Sequence, residues 1–192
     1  MDSQTNDPAT VLLKLIGQRL TAKRTQLRLT LEDVATRTGV SRAMISRIER
    51  AEVHASAVVL DKLCAGLGLS LSALFARDTT SPLIKHADQP MWQDPVSGYV
   101  RREIAPAGTG SPVRIVEVDF PAHAEVVFEP HIHDGIEQHV WLLEGEMEIT
   151  LGVSLYRLSA GDCLHMRLGA GNSFVNRSGK AARYAVILNS EV

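Results

Sequence analysis

The chain reads as an α+β protein of two domains, a five-helix unit followed by an all-β barrel, and three observations predict this. From Val11 to Phe75 the apolar residues recur at helical spacing, broken by short polar or glycine-bearing turns. From Tyr99 onward they fall in short β-type runs separated by Gly, Pro, Ser and Asn turns. Between the two, Pro82, Pro90 and Pro95 interrupt any sustained helical period. The expected divisions are therefore 1–77 for the helical domain with its core at 16–75, 78–98 for a linker that becomes an extended arm, and 99–192 for the barrel.

At 192 residues, 45% hydrophobic and 22% charged, the chain has room for a real core. Its net charge of -2 hides an asymmetry: residues 1–80 hold 11 Lys and Arg against 8 Asp and Glu, and residues 11–50 hold 9 against 3. Such a patch attracts a polyanion such as nucleic acid, or is simply a solvated helical surface. Cys64 and Cys163 lie far apart without metal-type pairing, so both are expected to be structural, in a reduced compartment. The opening MDSQTNDPAT lacks the basic region and apolar core of a secretory signal. No apolar run approaches the roughly 18 residues of a membrane span, so a cytoplasmic protein without a membrane partner is expected.

Leu12, Leu13, Leu15, Ile16 and Leu20 mark the first helix. Thr30 is placed to cap a second, LEDVATR, because its hydroxyl accepts a free amide hydrogen of the first turn, and Gly39 ends it. Ser41 caps a third, SRAMISRIER. Ser56 starts a fourth through VVLDKLCAGLG, and LSALF forms a short fifth. Val34, Val40, Ile45 and Ile48 supply a shared core, and Ala35 is small where two helices touch.

The set around GVSRAMISRIER resembles the helix-turn-helix domain of the Xre and phage-repressor family, over about Ile16 to Phe75. The resemblance implies that the third helix lies in the DNA major groove, with Ser41, Arg42, Ala43, Ser46 and Arg47 facing bases or phosphates. Arg42 and Arg47 are the expected base readers, since guanidinium groups form paired hydrogen bonds to guanine O6 and N7. Ala43 can touch only a thymine methyl. Thr30 and Ser41 are expected to hold phosphates. Against this, Arg47 has an alternative in a salt bridge to Glu49 or Glu52, and Arg50 is expected to be paired or solvated. The chain departs from the family at ERAEVHAS, which puts residues 51–56 on a path of their own, with His54 a solvated loop residue.

The β region contains VRIVEVDF, AEVVFEPHIH, EQHVWLLEG, EMEITLG, SLYRL, GDCLHMRL, NSFVN and ARYAVIL. Closing these eight strands into a jelly-roll barrel leaves a cavity lined by alternate residues, which suits a small molecule. Trp92, in the arm, is expected to be a packing residue.

The segments PHIHDGIEQHVWLLEGEMEITLG and GDCLHMRLGAGNSFVN resemble the two motifs of the cupin family, and the resemblance spans roughly residues 100–190. In metal-bearing cupins the first motif supplies two histidines and a glutamate and the second another histidine. His131 and His133 fit the first pair, two residues apart on one strand face. Counting back from Gly145, the glutamate position holds Gln138. Glu137 lies one residue off register, a slip that reverses the face of a strand. Asn172 stands in place of the second-motif histidine, Arg167 stands where proline is usual, and Asn176 ends the motif.

Two neutral amides weaken transition-metal binding, so no metal, cofactor or catalytic residue is expected. The expected site is a ligand pocket of His131, His133, Glu137, Gln138 and Asn172. A metal site is rescued only if Glu137 turns inward, or if His139 or His165 substitutes. The expected role of His123, His139 and His165 is structural.

The pairing of an Xre-type domain with a cupin resembles a known class of bacterial transcription regulators. It implies a non-enzymatic, sequence-specific regulator, a homodimer on palindromic double-stranded DNA, with an unidentified small-molecule effector in the cupin. The alternatives are a metal-dependent cupin enzyme, such as a dioxygenase or isomerase, that carries a DNA-binding domain, and a regulator whose cupin only dimerises.

Overall fold

The computed structural model describes residues 8–75, 81–107, 109, 111–130, 137–167, 169 and 171–189. Five helices come first: α1 (Pro8–Gln26), α2 (Leu31–Thr38), α3 (Arg42–Glu49), α4 (Ala57–Leu67) and α5 (Leu71–Phe75). Leu12, Ile16 and Leu20, four residues apart, form the buried stripe of α1. They meet Val34, Ile45, Ile48, Leu60, Leu63 and Leu74 in one core, where each fully buried side chain contributes about 1.5–3 kcal/mol.

The caps form where the sequence puts them. The hydroxyls of Thr30, Ser41 and Ser56 accept from Asp33, Met44 and Val59 N–H at the starts of α2, α3 and α4. Gly39, at φ 68, takes the left-handed conformation that closes α2, and its N–H bonds the Ala35 carbonyl. The guanidinium of Arg19 in α1 donates to the carbonyls of Ala73 and Leu74 at 2.7 and 3.2 Å and so fixes α5.

Ten strands follow: β1 (Met91–Gln93), β2 (Val100–Glu103), β3 (Val113–Phe120), β4 (Glu125–Phe128), β5 (Glu137–Glu144), β6 (Glu146–Leu151), β7 (Ser154–Ser159), β8 (Cys163–Arg167), β9 (Asn172–Val175) and β10 (Ala182–Asn189). The last eight correspond to the eight expected runs; β1 and β2 are additional. They form two antiparallel sheets, ordered β1-β2-β3-β10-β5-β8 and β4-β9-β6-β7. The inward residues Val116, Val118, Val140, Leu142 and Val186 of the first sheet share a core with Val126, Met147, Ile149 and Phe174 of the second, as in a double-sheet jelly roll.

Residues 81–98, part of the stretch expected to link the domains, carry a 3-10 turn at His86–Asp88 and then β1, which pairs with β2. Trp92 of β1 is buried. It sits in a continuous chain of rings, Phe75, Trp92, Tyr99, Phe120, Tyr184, Phe174 and Phe128, with successive centroids 5.5–6.3 Å apart. Aromatic pairs at such separations are each worth about 0.5–1.5 kcal/mol beyond their buried area. The chain runs from the last helix of the helical domain into the barrel interior.

Candidate nucleic-acid interface and barrel cavity

Helix α3 buries Ile45 and Ile48, and this orientation leaves Ser41, Arg42, Ala43, Met44 and Arg47 exposed and Ser46 half-buried. Both acids within reach of Arg47 in sequence are committed elsewhere. Glu49 receives Arg24 through two bonds of 2.7 and 2.8 Å, and Glu52 receives Arg50 at 2.6 and 3.0 Å. Arg50 also bonds the Ser46 hydroxyl, in keeping with its expected pairing. Among the described residues no ion pair holds Arg42 or Arg47. Met44, three residues before Arg47 and so on the same helical face, is an exposed apolar member of this surface that sequence reasoning did not single out.

Thr30 is exposed at the start of α2. Its backbone N–H donates to Asp33 Oδ2 at 2.8 Å while its hydroxyl accepts from the Asp33 N–H at 3.1 Å, a complete capping box. The Thr30 hydroxyl also donates to Asp33 Oδ2 at 2.7 Å, and this bond, with the one from the Thr30 backbone N–H, holds the Asp33 carboxyl below the usual carboxylate range. Ser41 caps α3, its hydroxyl accepting the Met44 N–H at 3.3 Å, and its own side chain is exposed.

Between the two sheets lies a small cavity of about 90 Å³. Its middle is aromatic, from Tyr99, Phe120, Phe128, Phe174 and Tyr184, and Gln138 and Asn172 bring amides to it. The Gln138 amide is also within reach of the Met166 sulfur, at 3.7 Å.

His131 and His133 fall outside the described residues. Glu137, expected at the pocket, is not among the lining residues: strand alternation turns it to the outer face of the first sheet, where Arg167 bonds it at 3.1 Å. That bond pulls the Glu137 carboxyl below the usual carboxylate range. His139 and His165 share the outer face, paired across β5 and β8 with ring centroids 5.0 Å apart. Among the described residues no three His, Cys, Asp or Glu gather to hold a metal ion. At the described positions of the metal-bearing pattern the chain offers two inward amides and an outward carboxylate, which do not fit a transition metal. Asn176 serves structure: it is fully buried and its amide donates to the carbonyls of Pro121 and Lys180 at 3.0 and 2.8 Å.

The cavity wall also includes Asp61 of α4 and Leu71 of α5, side chains from the helical domain that sequence reasoning missed. Around them the seam between helices and barrel is charged. Arg101 of β2 bonds Glu103 at 3.0 Å and lies 5.3 Å from the Phe75 ring centroid, a cation-π distance. Burial raises the Glu103 carboxyl, and Arg101 opposes the rise. Asp94 Oδ1 accepts the Ala57 N–H of the first turn of α4 at 2.7 Å, and its other oxygen accepts from Ser97. Lys62 of α4 reaches Glu129 at 2.9 Å. These partners lie 37 and 67 positions apart in the chain, beyond the reach of any local pattern.

A helix-turn-helix family profile, HTH_3, matches residues 20–74, and a cupin domain profile, Cupin_2, matches residues 116–188. No curated protein matches the chain. Among solved structures, an HTH_3 family transcriptional regulator from Vibrio cholerae superposes with a TM-score of 0.76 at 23% identity, covering 95% of this chain and 99% of that one, which establishes a common fold. The Cupin_2 domain of an XRE family transcriptional regulator from Enterobacter cloacae aligns at a TM-score of 0.44 and 15% identity, over 49% of this chain and 98% of that one. A hydroxypropylphosphonic acid epoxidase from S. wedmorenis aligns at 0.47 and 15%, over 92% and 97%. Among the described residues no helix is long and apolar enough to cross a membrane. The chain thus joins a helix-turn-helix domain that matches the HTH_3 family over residues 20–74 to a cupin domain that matches Cupin_2 over residues 116–188.

Proposed function

We propose that the protein is a sequence-specific transcription regulator, without enzymatic activity, that binds palindromic double-stranded DNA as a homodimer and whose cupin cavity takes a small-molecule effector in the cytoplasm. The observation that carries this reading is the outer face of α3. Arg42 and Arg47 stand exposed there beside Ser41 and Ala43, while the neighbouring acids Glu49 and Glu52 are held by Arg24 and Arg50. Thr30 and Ser41 are assigned to phosphates, Arg42 and Arg47 to guanines, and Ala43 and Ser46 to base edges or backbone between them. One such domain reads few base pairs, so useful specificity needs two copies on half-sites related by two-fold symmetry.

The outer face of the first sheet favours such pairing. Trp141 is about half-exposed there, with Ile115 and Ile187 on the same face. For the cavity, the inward Gln138 and Asn172, the outward Glu137 and the open aromatic interior favour sensing over metal chemistry or a filled dimerisation module. His131 and His133 remain assigned to the same pocket. Selection of bound duplexes from a random library should yield a palindrome, and full-length protein should sediment as a dimer at micromolar concentration. Asymmetric selected sites, or sequence preference unchanged in Arg42→Ala and Arg47→Ala, would remove the reading.

A further inference from the structure

We infer that Arg50 and Glu52, just past the end of α3, are positioning residues for DNA reading: Glu52 clamps the Arg50 guanidinium against the Ser46 hydroxyl, and this fixes Ser46 as a hydrogen-bond donor toward the base pair it faces. The inference rests on the DNA-reading role proposed for α3 and names a specificity device within it. Ser46 and Arg50, four residues apart, share the side of α3 that faces away from the buried Ile45 and Ile48. Arg50 Nε and Nη2 donate to the two oxygens of Glu52 at 2.6 and 3.0 Å, a paired geometry that holds the guanidinium in one orientation. Its remaining nitrogen, Nη1, donates to Ser46 Oγ. A serine hydroxyl both donates its proton and accepts, so with Arg50 donating into a lone pair the Ser46 proton is turned outward in search of an acceptor. In the major groove guanine and thymine offer acceptors, whereas cytosine presents only its N4 donor. Ser46 held in this way favours guanine or thymine over cytosine at its position.

The chain reversal after α3 is what brings Glu52 into place. Ala51 lies at φ 58, in the left-handed region that glycine enters at less cost. Its N–H bonds the Ile48 carbonyl and the Glu52 N–H bonds the Arg47 carbonyl, both at 2.9 Å, which folds residue 52 back beside the last turn of the helix. The bonds from Arg50 hold the Glu52 carboxyl below the usual carboxylate range, and the charges of Arg50 and Arg47 add to this. The Arg50 and Glu52 side chains are 55% and 46% exposed, and exposed ion pairs contribute little to stability. What the strained turn secures is therefore the orientation of Arg50. Glu52 also cancels its charge. An unclamped Arg50 is free to reach a phosphate, which adds affinity for every sequence and carries no base information. The clamp exchanges general affinity for discrimination.

The test compares full-length protein with its Ser46→Ala, Arg50→Ala and Glu52→Gln variants, all changed at exposed or half-buried positions. Each is used to select duplexes from a random library, and then titrated with the parent's palindrome and with an unrelated duplex across a salt series. All three variants should lose about fivefold or more of the discrimination against cytosine at one shared position of each half-site. Glu52→Gln should also bind the unrelated duplex more tightly, with a salt slope steeper by about 0.9, the value of one added phosphate contact. A merely structural role would lower the melting temperature and leave both the base preference and the salt slope in place. Unchanged preference in Arg50→Ala or Glu52→Gln, losses at different positions in the three variants, or an unchanged salt slope in Glu52→Gln overturns the inference. It falls alone if Arg42→Ala and Arg47→Ala still relax the selected sequence. If those two leave it unchanged as well, the reading of α3 falls with it.

Discussion

The helical and β halves carry their chemistry on opposite sides of their folds. In the helical half Arg42 and Arg47 stand outside a core that asks only for Ile45 and Ile48 beneath them. In the β half Gln138 and Asn172 turn inward, while Glu137, His139 and His165, described residues with metal-binding chemistry, stand outside. An exposed surface of this kind is organised by one helix and its period. An enclosed one is assembled from strands far apart in the chain and, here, from a neighbouring domain.

The largest expected effect tests the exposed side. Arg42→Ala with Arg47→Ala should cost about 2–6 kcal/mol of operator binding, at about 1–3 kcal/mol per base-reading arginine. Both side chains are exposed, so the melting temperature should hold. A fall in melting temperature with operator affinity intact would show that these residues support the core, and would break the contrast.

The next concerns the seam. Asp94→Ala orphans the Ala57 N–H at a buried helix start and should destabilise the chain by about 1–3 kcal/mol in urea unfolding. An unchanged midpoint would mean that the two halves are less interlocked than the geometry implies.

Thr30→Ala removes one side of the capping box and should cost about 1 kcal/mol. The box also has a pH signature. The folded Asp33 carboxyl lies below its ordinary value of 3.8, so its contribution is present above that pH and is lost as pH falls through the lower folded value. Acid titration of stability should be shallower in Thr30→Ala, and an identical slope would count against the assigned bonds.

The smallest effect is expected at Glu137→Gln, which loosens only solvent-exposed pairings, with Arg167 and with His165. Neither stability nor cavity binding should change measurably, whereas Gln138→Ala should alter cavity binding. Equal effects of the two would erase the distinction between inner and outer faces.

Much of this was legible in the sequence, for physical reasons that differ by element. Caps at Thr30, Ser41 and Ser56 and the turn at Gly39 are local chemistry, so a few residues specify them. Strands β3 to β10 stand out through their apolar runs and bounding turns. β1 and β2, reading MWQ and VRRE, are too short and too polar to show such a pattern, and pairing with β3 rather than propensity makes β2 a strand. At the cavity, the period of two placed Gln138 inward and warned that Glu137 is off register. Asp61 and Leu71 had no comparable signal: on a helix pattern each reads as ordinary, and only the docking of α4 and α5 against the barrel makes them cavity wall. Met44 was within reach of helical-face reasoning, being three residues from Arg47.

The bond from Asp94 to Ala57 also bears on how the protein is made. Synthesis delivers the helices first, and domains begin to fold as they emerge. Yet the first turn of α4 waits for a carboxylate 37 residues downstream, and Phe75 waits for the ring of Trp92. A nascent chain arrested before residue 92 should therefore hold α1, α2 and α3 in place with α4 still fraying at its start. The reading helix would be shaped on the ribosome, while its connection to the cavity would be set only when the first strand docks.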